Sequence, residues 1–133
     1  MLKIYTDGSY RDGKVGYAFI VVNEGKVIHT FSDAFKSFDP SRQVAGEIKA
    51  VLDALEWLKQ MGEKRVQIFY DYSGLEEWAC MRWKAKTPNT KRYQQTVVNC
   101  GIEIFWNKVQ SHSGDEFNDM ADRMARQAME KDK

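Results

Sequence analysis

Residues 65–71 read Arg65-Val66-Gln67-Ile68-Phe69-Tyr70-Asp71. Val66, Ile68 and Tyr70 alternate with Gln67, Phe69 and Asp71, the two-residue period of a short buried strand. The segments on either side decide what kind of sheet it joins. Upstream, the apolar residues of 44–61 fall at Val44, Ile48, Val51, Leu52, Leu55 and Leu58, which is helical spacing, and Gly62 closes that helix. Further upstream, an alternating strand over 2–7 is followed by β-rich runs over 15–22 and about 26–35. Asp12-Gly13 and Asn23-Glu24-Gly25 supply the turns between them, so the first three strands form an antiparallel meander. A helix and a fourth strand after such a meander require a right-handed crossover, which sets strand 65–71 parallel to a meander strand. Downstream come a short helix over about 74–80, a polar stretch through Thr87-Pro88-Asn89 and a helix to about Asn99. A strand over 102–109 and a helix over about 115–130 complete the chain. The order β-β-β-α-β-α-α-β-α predicts an α/β fold with a mixed sheet. Ligands of such a sheet gather at the carboxyl ends of its central strands.

Bulk properties narrow the possibilities less. The 133 residues suit one compact domain over 1–133, and 43% hydrophobic with 29% charged residues is ordinary for a globular chain. No apolar run approaches the roughly 20 residues that span a bilayer. The N-terminus enters the strand pattern without a secretory signal. Cys80 and Cys100 stand in no metal-ligand spacing and read as reduced thiols of a cytoplasmic protein. A net charge of +1 does not advertise nucleic-acid binding, so such a role depends on where the charges lie.

The carboxylates are informative. Asp7 and Asp71 each stand as the last residue of a predicted central strand, and parallel neighbours lie about 4.8 Å apart. Two ionised carboxylates at that separation repel by roughly 3 kcal/mol at an effective dielectric near 20. Protonating one of them or binding a cation relieves the repulsion. The plain alternative is that each aspartate caps the turn after it. Glu47 falls on the margin of the apolar helix face, where a carboxylate loses hydration and needs a partner, whereas Asp53 and Glu56 point towards solvent. A first-turn capping role is the alternative for Glu47. Asn118 and Asp122 are four residues apart on the last helix, beside the apolar line of Phe117, Ala121, Met124 and Ala128. Read alone they are an ordinary solvated pair. Ten residues before Asp122, the loop Ser111-His112-Ser113-Gly114 carries a histidine, whose pKa suits proton transfer near neutral pH. His29, inside a strand, reads as structural.

Four ordered segments resemble the type 1 ribonuclease H family. Ile4-Tyr5-Thr6-Asp7-Gly8-Ser9 is similar to its first-strand Thr-Asp-Gly-Ser motif, and Val44-Ala45-Gly46-Glu47 to the helix of its catalytic glutamate. Tyr70-Asp71-Tyr72-Ser73 is similar to its strand-4 aspartate. Ser111-His112-Ser113-Gly114 with Asn118-Asp119-Met120-Ala121-Asp122 is similar to its His-x-Gly and Asn-x-x-x-Asp block. The resemblance spans essentially the whole chain. It implies a ribonuclease H-like fold, a five-stranded mixed sheet of order 3-2-1-4-5 flanked by helices. It implies an endonuclease that cuts the RNA strand of RNA–DNA hybrids, leaving 5′-phosphate and 3′-hydroxyl ends. Asp7, Glu47, Asp71 and Asp122 would be metal ligands, and His112 a mobile proton-transfer or product-release residue. The hybrid would be the partner, with no membrane and no obligate protein partner.

Carboxylate ligands are hard oxygen donors, which favour Mg²⁺ with Mn²⁺ as substitute. Two such ions about 3.5–4 Å apart activate a water and stabilise the leaving oxygen at a phosphodiester, with Asp7 as the expected bridge.

Expected substrate contacts are Gly8, Ser9, Arg42, Gln43, Ser73, Trp83, Lys84, Lys86 and Asn118. Ser41-Arg42-Gln43-Val44 departs from the Asn and Thr residues that many cellular members carry before the catalytic glutamate. Gln43 can still bond a groove edge, and Arg42 can meet a phosphate. The region from Met81 to Asn89 is too short for the full basic protrusion of well-known bacterial members. Arg82, Lys84, Lys86, Lys91 and Arg92, beside Trp78, Trp83 and Tyr93, read as a reduced handle for a nucleic-acid backbone. A solvated loop with core tryptophans is the alternative. Two rival functions remain: a related nuclease acting on structured DNA, and a non-catalytic hybrid-binding module.

Overall fold

The computed structural model of the chain describes residues 1–109 and 115–131. Its strands are β1 (Leu2–Arg11), β2 (Lys14–Asn23), β3 (Lys26–Lys36), β4 (Arg65–Tyr70) and β5 (Glu103–Lys108). Its helices are α1 (Gln43–Gln60), α2 (Gly74–Ala79), α3 (Pro88–Val98) and α4 (Glu116–Lys131). The strands form one sheet of order β3-β2-β1-β4-β5. β1–β2 and β2–β3 are antiparallel, while β1–β4 and β4–β5 are parallel. The mixed five-stranded sheet expected from the sequence is the one observed.

Both faces of the sheet are covered. Ile4, Phe19, Val21, Val66, Ile68 and Tyr70 pack under α1, with Leu75 of α2 and Tyr93 and Val97 of α3 completing that core. On the opposite face Tyr5, Ile20 and Val22 meet Ala121 of α4, with Phe69, Phe117, Met120 and Met124 around them. The double covering explains the continuous apolar run of β2, whose residues 15–22 are all buried. Each fully buried Ile or Leu contributes roughly 1.5–3 kcal/mol of transfer free energy. Two of the helix starts are built by local capping. Asp115 Oδ1 accepts from the N–H groups of Phe117 and Asn118 at 3.0 and 3.1 Å to begin α4. Thr87 and Thr90 exchange backbone and hydroxyl bonds ahead of Pro88 to begin α3.

One boundary needs correcting. The alternating pattern placed the end of β1 at Asp7, but the strand runs on to Arg11 and Asp7 pairs with Ala18 mid-hairpin. The chain reverses instead at Asp12-Gly13, where both residues have positive φ (50° and 77°), as a two-residue hairpin requires. The parallel pairing of β1 with β4 stops sooner, at Tyr5 opposite Phe69. Asp7 therefore lies where β1 parts from β4. Extending the register by two residues sets it opposite Asp71, which follows the last residue of β4. Asp53, expected to face solvent, instead accepts a hydrogen bond from Tyr17 Oη at 2.7 Å and pairs with Lys49. Cys80 is an exposed thiol and Cys100 a buried one, both free. Among the described residues no helix is long and apolar enough to cross a membrane.

Candidate active site

The site forms where β1 and β4 separate, because a strand that loses its neighbour leaves side chains without a lateral partner. Asp7 points to the α4 side with Tyr5, and its Oδ1 accepts from the N–H of Gly8 at 2.9 Å. Gly8, on the opposite face, lets α1 approach. A Cβ there would stand 2.5 Å from Gln43 O and 2.7 Å from Glu47 N. The absence of a side chain at Gly8 thus brings the first turns of α1, and with them Glu47, against the strand that carries Asp7. Gly16 does the same for α4, since a Cβ there would meet Ala125 O at 2.0 Å. That close approach brings Asp122 to the sheet.

The carboxylates respond to this crowding. Glu47 is only 3% exposed. Burial, then repulsion from Asp7 and Asp71, push its pKa up to about 8, against the N–H bond it accepts from Tyr72. Burial likewise raises Asp7, to about 7; the Gly8 N–H opposes the rise, while Asp122 and Asp71 add to it. Asp7 and Asp122 lie within hydrogen-bonding distance, a contact between two acids that requires a shared proton or a cation. Arg126, one turn along α4, pairs with Asp122 Oδ2 at 2.7 Å. Among the described residues no three acidic, histidine or cysteine side chains close around one point. The acids form a loose cluster that a cation would have to draw inward. Its composition fits a hard divalent ion: all donors are carboxylates, and two of them are held at raised pKa by burial and by neighbouring acids.

A cleft of about 280 Å³ opens over this cluster, lined by Asp7, Glu47 and Asp71 together with Gly8, Gln43, Val44, Tyr72, Ser73 and Lys108. Of the expected contacts, Gly8, Gln43 and Ser73 are therefore in place at the cleft. Ser9 is half-buried farther along β1. Arg42 takes the N-cap position of α1 with a positive φ (55°) and no side-chain cap, and lays its guanidinium over the Tyr10 ring, 5.4 Å from the centroid. Such backbone strain on a non-glycine residue persists only where the surroundings hold it. Asn118 is buried at 7% exposure in α4, one turn before Asp122, so it faces the fold rather than open solvent. His112 and its loop lie outside the described residues.

A second hollow, lined by Trp78, Arg82, Trp83, Lys84, Lys86, Thr87 and Thr90, lies beside the first. Trp83 is 41% exposed, and the rings of Tyr72, Trp78 and Trp83 meet at an angle with centroids 5.9–6.3 Å apart. Arg82 does not belong to the free basic set. It is tied to Glu76 and Glu77 at 2.9 and 2.6 Å, which leaves Lys84 and Lys86 to carry the charge of that hollow. Tyr72 links the two hollows, since it lines the first and its ring joins the aromatic cluster of the second. Neither Tyr72 nor Lys108 stood out in the sequence. Position next to Asp71 and at a strand end were the signals available for them.

The RNase H family model matches residues 1–130. Ribonuclease H of Neorickettsia sennetsu is 29% identical over 138 residues, covering 92% of this chain and 89% of the relative. Ribonuclease H of Wolbachia pipientis wMel is 30% identical over 140 residues, covering 95% and 93%. LC11-RNase H1, solved in complex with an RNA/DNA hybrid, superposes with a TM-score of 0.83 at 20% identity over 98% of each chain. The fold and these matches agree, and the chain belongs to the RNase H family.

Proposed function

We propose that the chain is a ribonuclease H that hydrolyses the RNA strand of RNA–DNA hybrids with divalent metal ions, leaving 5′-phosphate and 3′-hydroxyl ends. The observation that carries this reading is the junction of Asp7, Glu47, Asp71 and Asp122 where β1 and β4 part, in a chain of the RNase H family. Asp7, in hydrogen-bonding range of Asp122 and flanked by Asp71 and Glu47, would hold the metal ions together with them. Glu47 would hold one ion and Asp122 the other. Bound Mg²⁺ or Mn²⁺ supplies an activated water and a counter-charge for the leaving oxygen.

The chain's own residues supply the rest. The Gly8 N–H keeps one oxygen of Asp7 fixed, and the Tyr72 N–H does the same for Glu47. Arg126 must release Asp122 Oδ2 for that oxygen to ligate. Lys84, Lys86 and the rings of Tyr72, Trp78 and Trp83 form a sequence-tolerant surface on which a backbone can lie and a base can stack. His112, which precedes α4 in the sequence, would pass protons or assist product release. Two relatives named ribonuclease H, and a structural neighbour solved with a hybrid, support this substrate over structured DNA. Retention of all four acids supports an enzyme over a binding module. The test is turnover of labelled hybrid by Asp71→Asn and Glu47→Gln, each verified as folded by its melting curve. A loss of at least about a hundredfold is expected; near-normal rates in either variant remove that residue from the machinery.

A further inference from the structure

The cleft over the carboxylates contains a cation that the proposed chemistry does not use. Lys108 is the last residue of β5, paired in register with Tyr70, and it lines the same cleft as Asp7, Glu47 and Asp71. It is exposed, and among the described residues its ammonium makes no hydrogen bond or ion pair. Of the other bases near the site, Arg126 is paired with Asp122 and Arg82 with Glu76 and Glu77, while Lys84 and Lys86 line the neighbouring hollow and not this cleft. Position explains why Lys108 does not close onto Asp7. β5 is two strands away from β1, roughly 10 Å at the usual strand spacing. Asp7 and Glu47 are raised by burial and by other acids, with no opposing pull from Lys108.

A lysine that shares a cleft with three carboxylates, and whose ammonium bonds to no described residue, is available to a different anion. We infer that Lys108 binds a non-bridging oxygen of a backbone phosphate on the strand being cut, next to the phosphate that lies over the acids. This rests on the proposed nuclease function and adds a substrate-binding residue to it. An ammonium acts as a mobile point charge and suits a phosphate without fixing base identity, so the contact positions the strand and reads no sequence. It also offsets the repulsion that the acids exert on a phosphate approaching a cleft already rich in negative charge.

The experiment compares wild type, Lys108→Met and Lys108→Arg in steady-state cleavage of a labelled hybrid at saturating Mg²⁺ across a KCl series. Lys108→Met keeps most of the length of the side chain and removes its charge. It is expected to raise KM about fivefold near 0.1 M salt and to lower the log–log salt slope by about one, with kcat within about twofold of wild type. Lys108→Arg should restore both KM and slope. The Mg²⁺ concentration for half-maximal rate should not rise in Lys108→Met, because the residue does not order the acids. Unchanged KM and salt slope in Lys108→Met would overturn the assignment. A fall in kcat with weakened Mg²⁺ response and unaltered KM would overturn it too, by making Lys108 an organiser of the carboxylates. A wild-type protein inert on hybrid would refute the proposed function instead, so the two failures are distinguishable.

Discussion

Replacing Asp7 by asparagine should make the metal-free protein more stable while it disables the enzyme. Asp7 is raised to about 7 by burial and by its acidic neighbours, so at pH 8 the folded state holds a charge it would rather neutralise. The carboxamide of the Asp7→Asn variant would keep an oxygen to accept the Gly8 N–H and gain an N–H that can donate to Asp122. The whole shift corresponds to about 4 kcal/mol, with burial its largest cause; an asparagine is a polar group that must itself be desolvated, so roughly half of it, about 2 kcal/mol, is the expected gain. A chain of 133 residues has an unfolding entropy of about 0.28 kcal/mol/K, so the expected gain in Tm is about 7 °C. The sign with pH follows from proton binding. A carboxyl raised on folding binds more protons in the native than in the unfolded state between about pH 4 and 7. Wild-type stability from this group therefore falls as pH rises through that window. The advantage of Asp7→Asn should be absent near pH 4, grow through the window and level off above about 7. Excess Mg²⁺ should shrink or reverse it, because a ligand that binds only the native wild type raises its melting point by mass action. The assay is thermal unfolding by circular dichroism from about pH 4 to 8.5, with EDTA and then with Mg²⁺. A variant that melts at or below wild type at pH 8 in EDTA refutes the claim that crowded, desolvated acids define this site.

Two further outcomes follow from the geometry. Gly8→Ala sets a methyl 2.5 Å from Gln43 O and 2.7 Å from Glu47 N, both backbone atoms. It should cost about 2 kcal/mol by overpacking and lower turnover by displacing Glu47, read by urea unfolding and hybrid cleavage; wild-type stability would show that α1 can move off β1 freely. Neutralising Lys84, Lys86 and Lys91 together should weaken hybrid binding and reduce its salt slope by about two to three, measured by fluorescence anisotropy across a KCl series; an unaltered slope would show that this segment does not track the backbone.

Much of the fold is legible because its signals are local. The 3.6-residue period of 44–61 and the two-residue period of 65–71 reproduce α1 and β4 to within a residue at each end. The end of β1 is misread because Asp-Gly-Ser carries the composition of a turn, while the choice of reversal point lies with the positive-φ pair at Asp12-Gly13. A strand can go on pairing with one neighbour after leaving the other, and no pattern in β1 reports where β4 ends. Among the acids, the end of β4 brings out Asp71 and a helical wheel brings out Glu47, while Asp7 is singled out by a strand end that in fact lies at Arg11. Asp122 depends on α4 packing closely over Gly16, a contact between residues far apart in the chain. Arg82 looks like part of the basic handle until its partners Glu76 and Glu77 are brought beside it by the turn after α2. Lys108 is a lone lysine in the sequence and becomes a cleft residue only once β5 is seated next to β4.

The most direct test of the central claim is cleavage of matched RNA–DNA, RNA–RNA and DNA–DNA duplexes, each strand labelled in turn, with Mg²⁺, with Mn²⁺ and with excess EDTA. Metal-dependent cutting of the RNA strand of the hybrid is expected, with the hybrid's DNA strand and both homoduplexes spared and EDTA abolishing the activity. Robust cutting in EDTA, or preferred cutting of the DNA duplex, would contradict it.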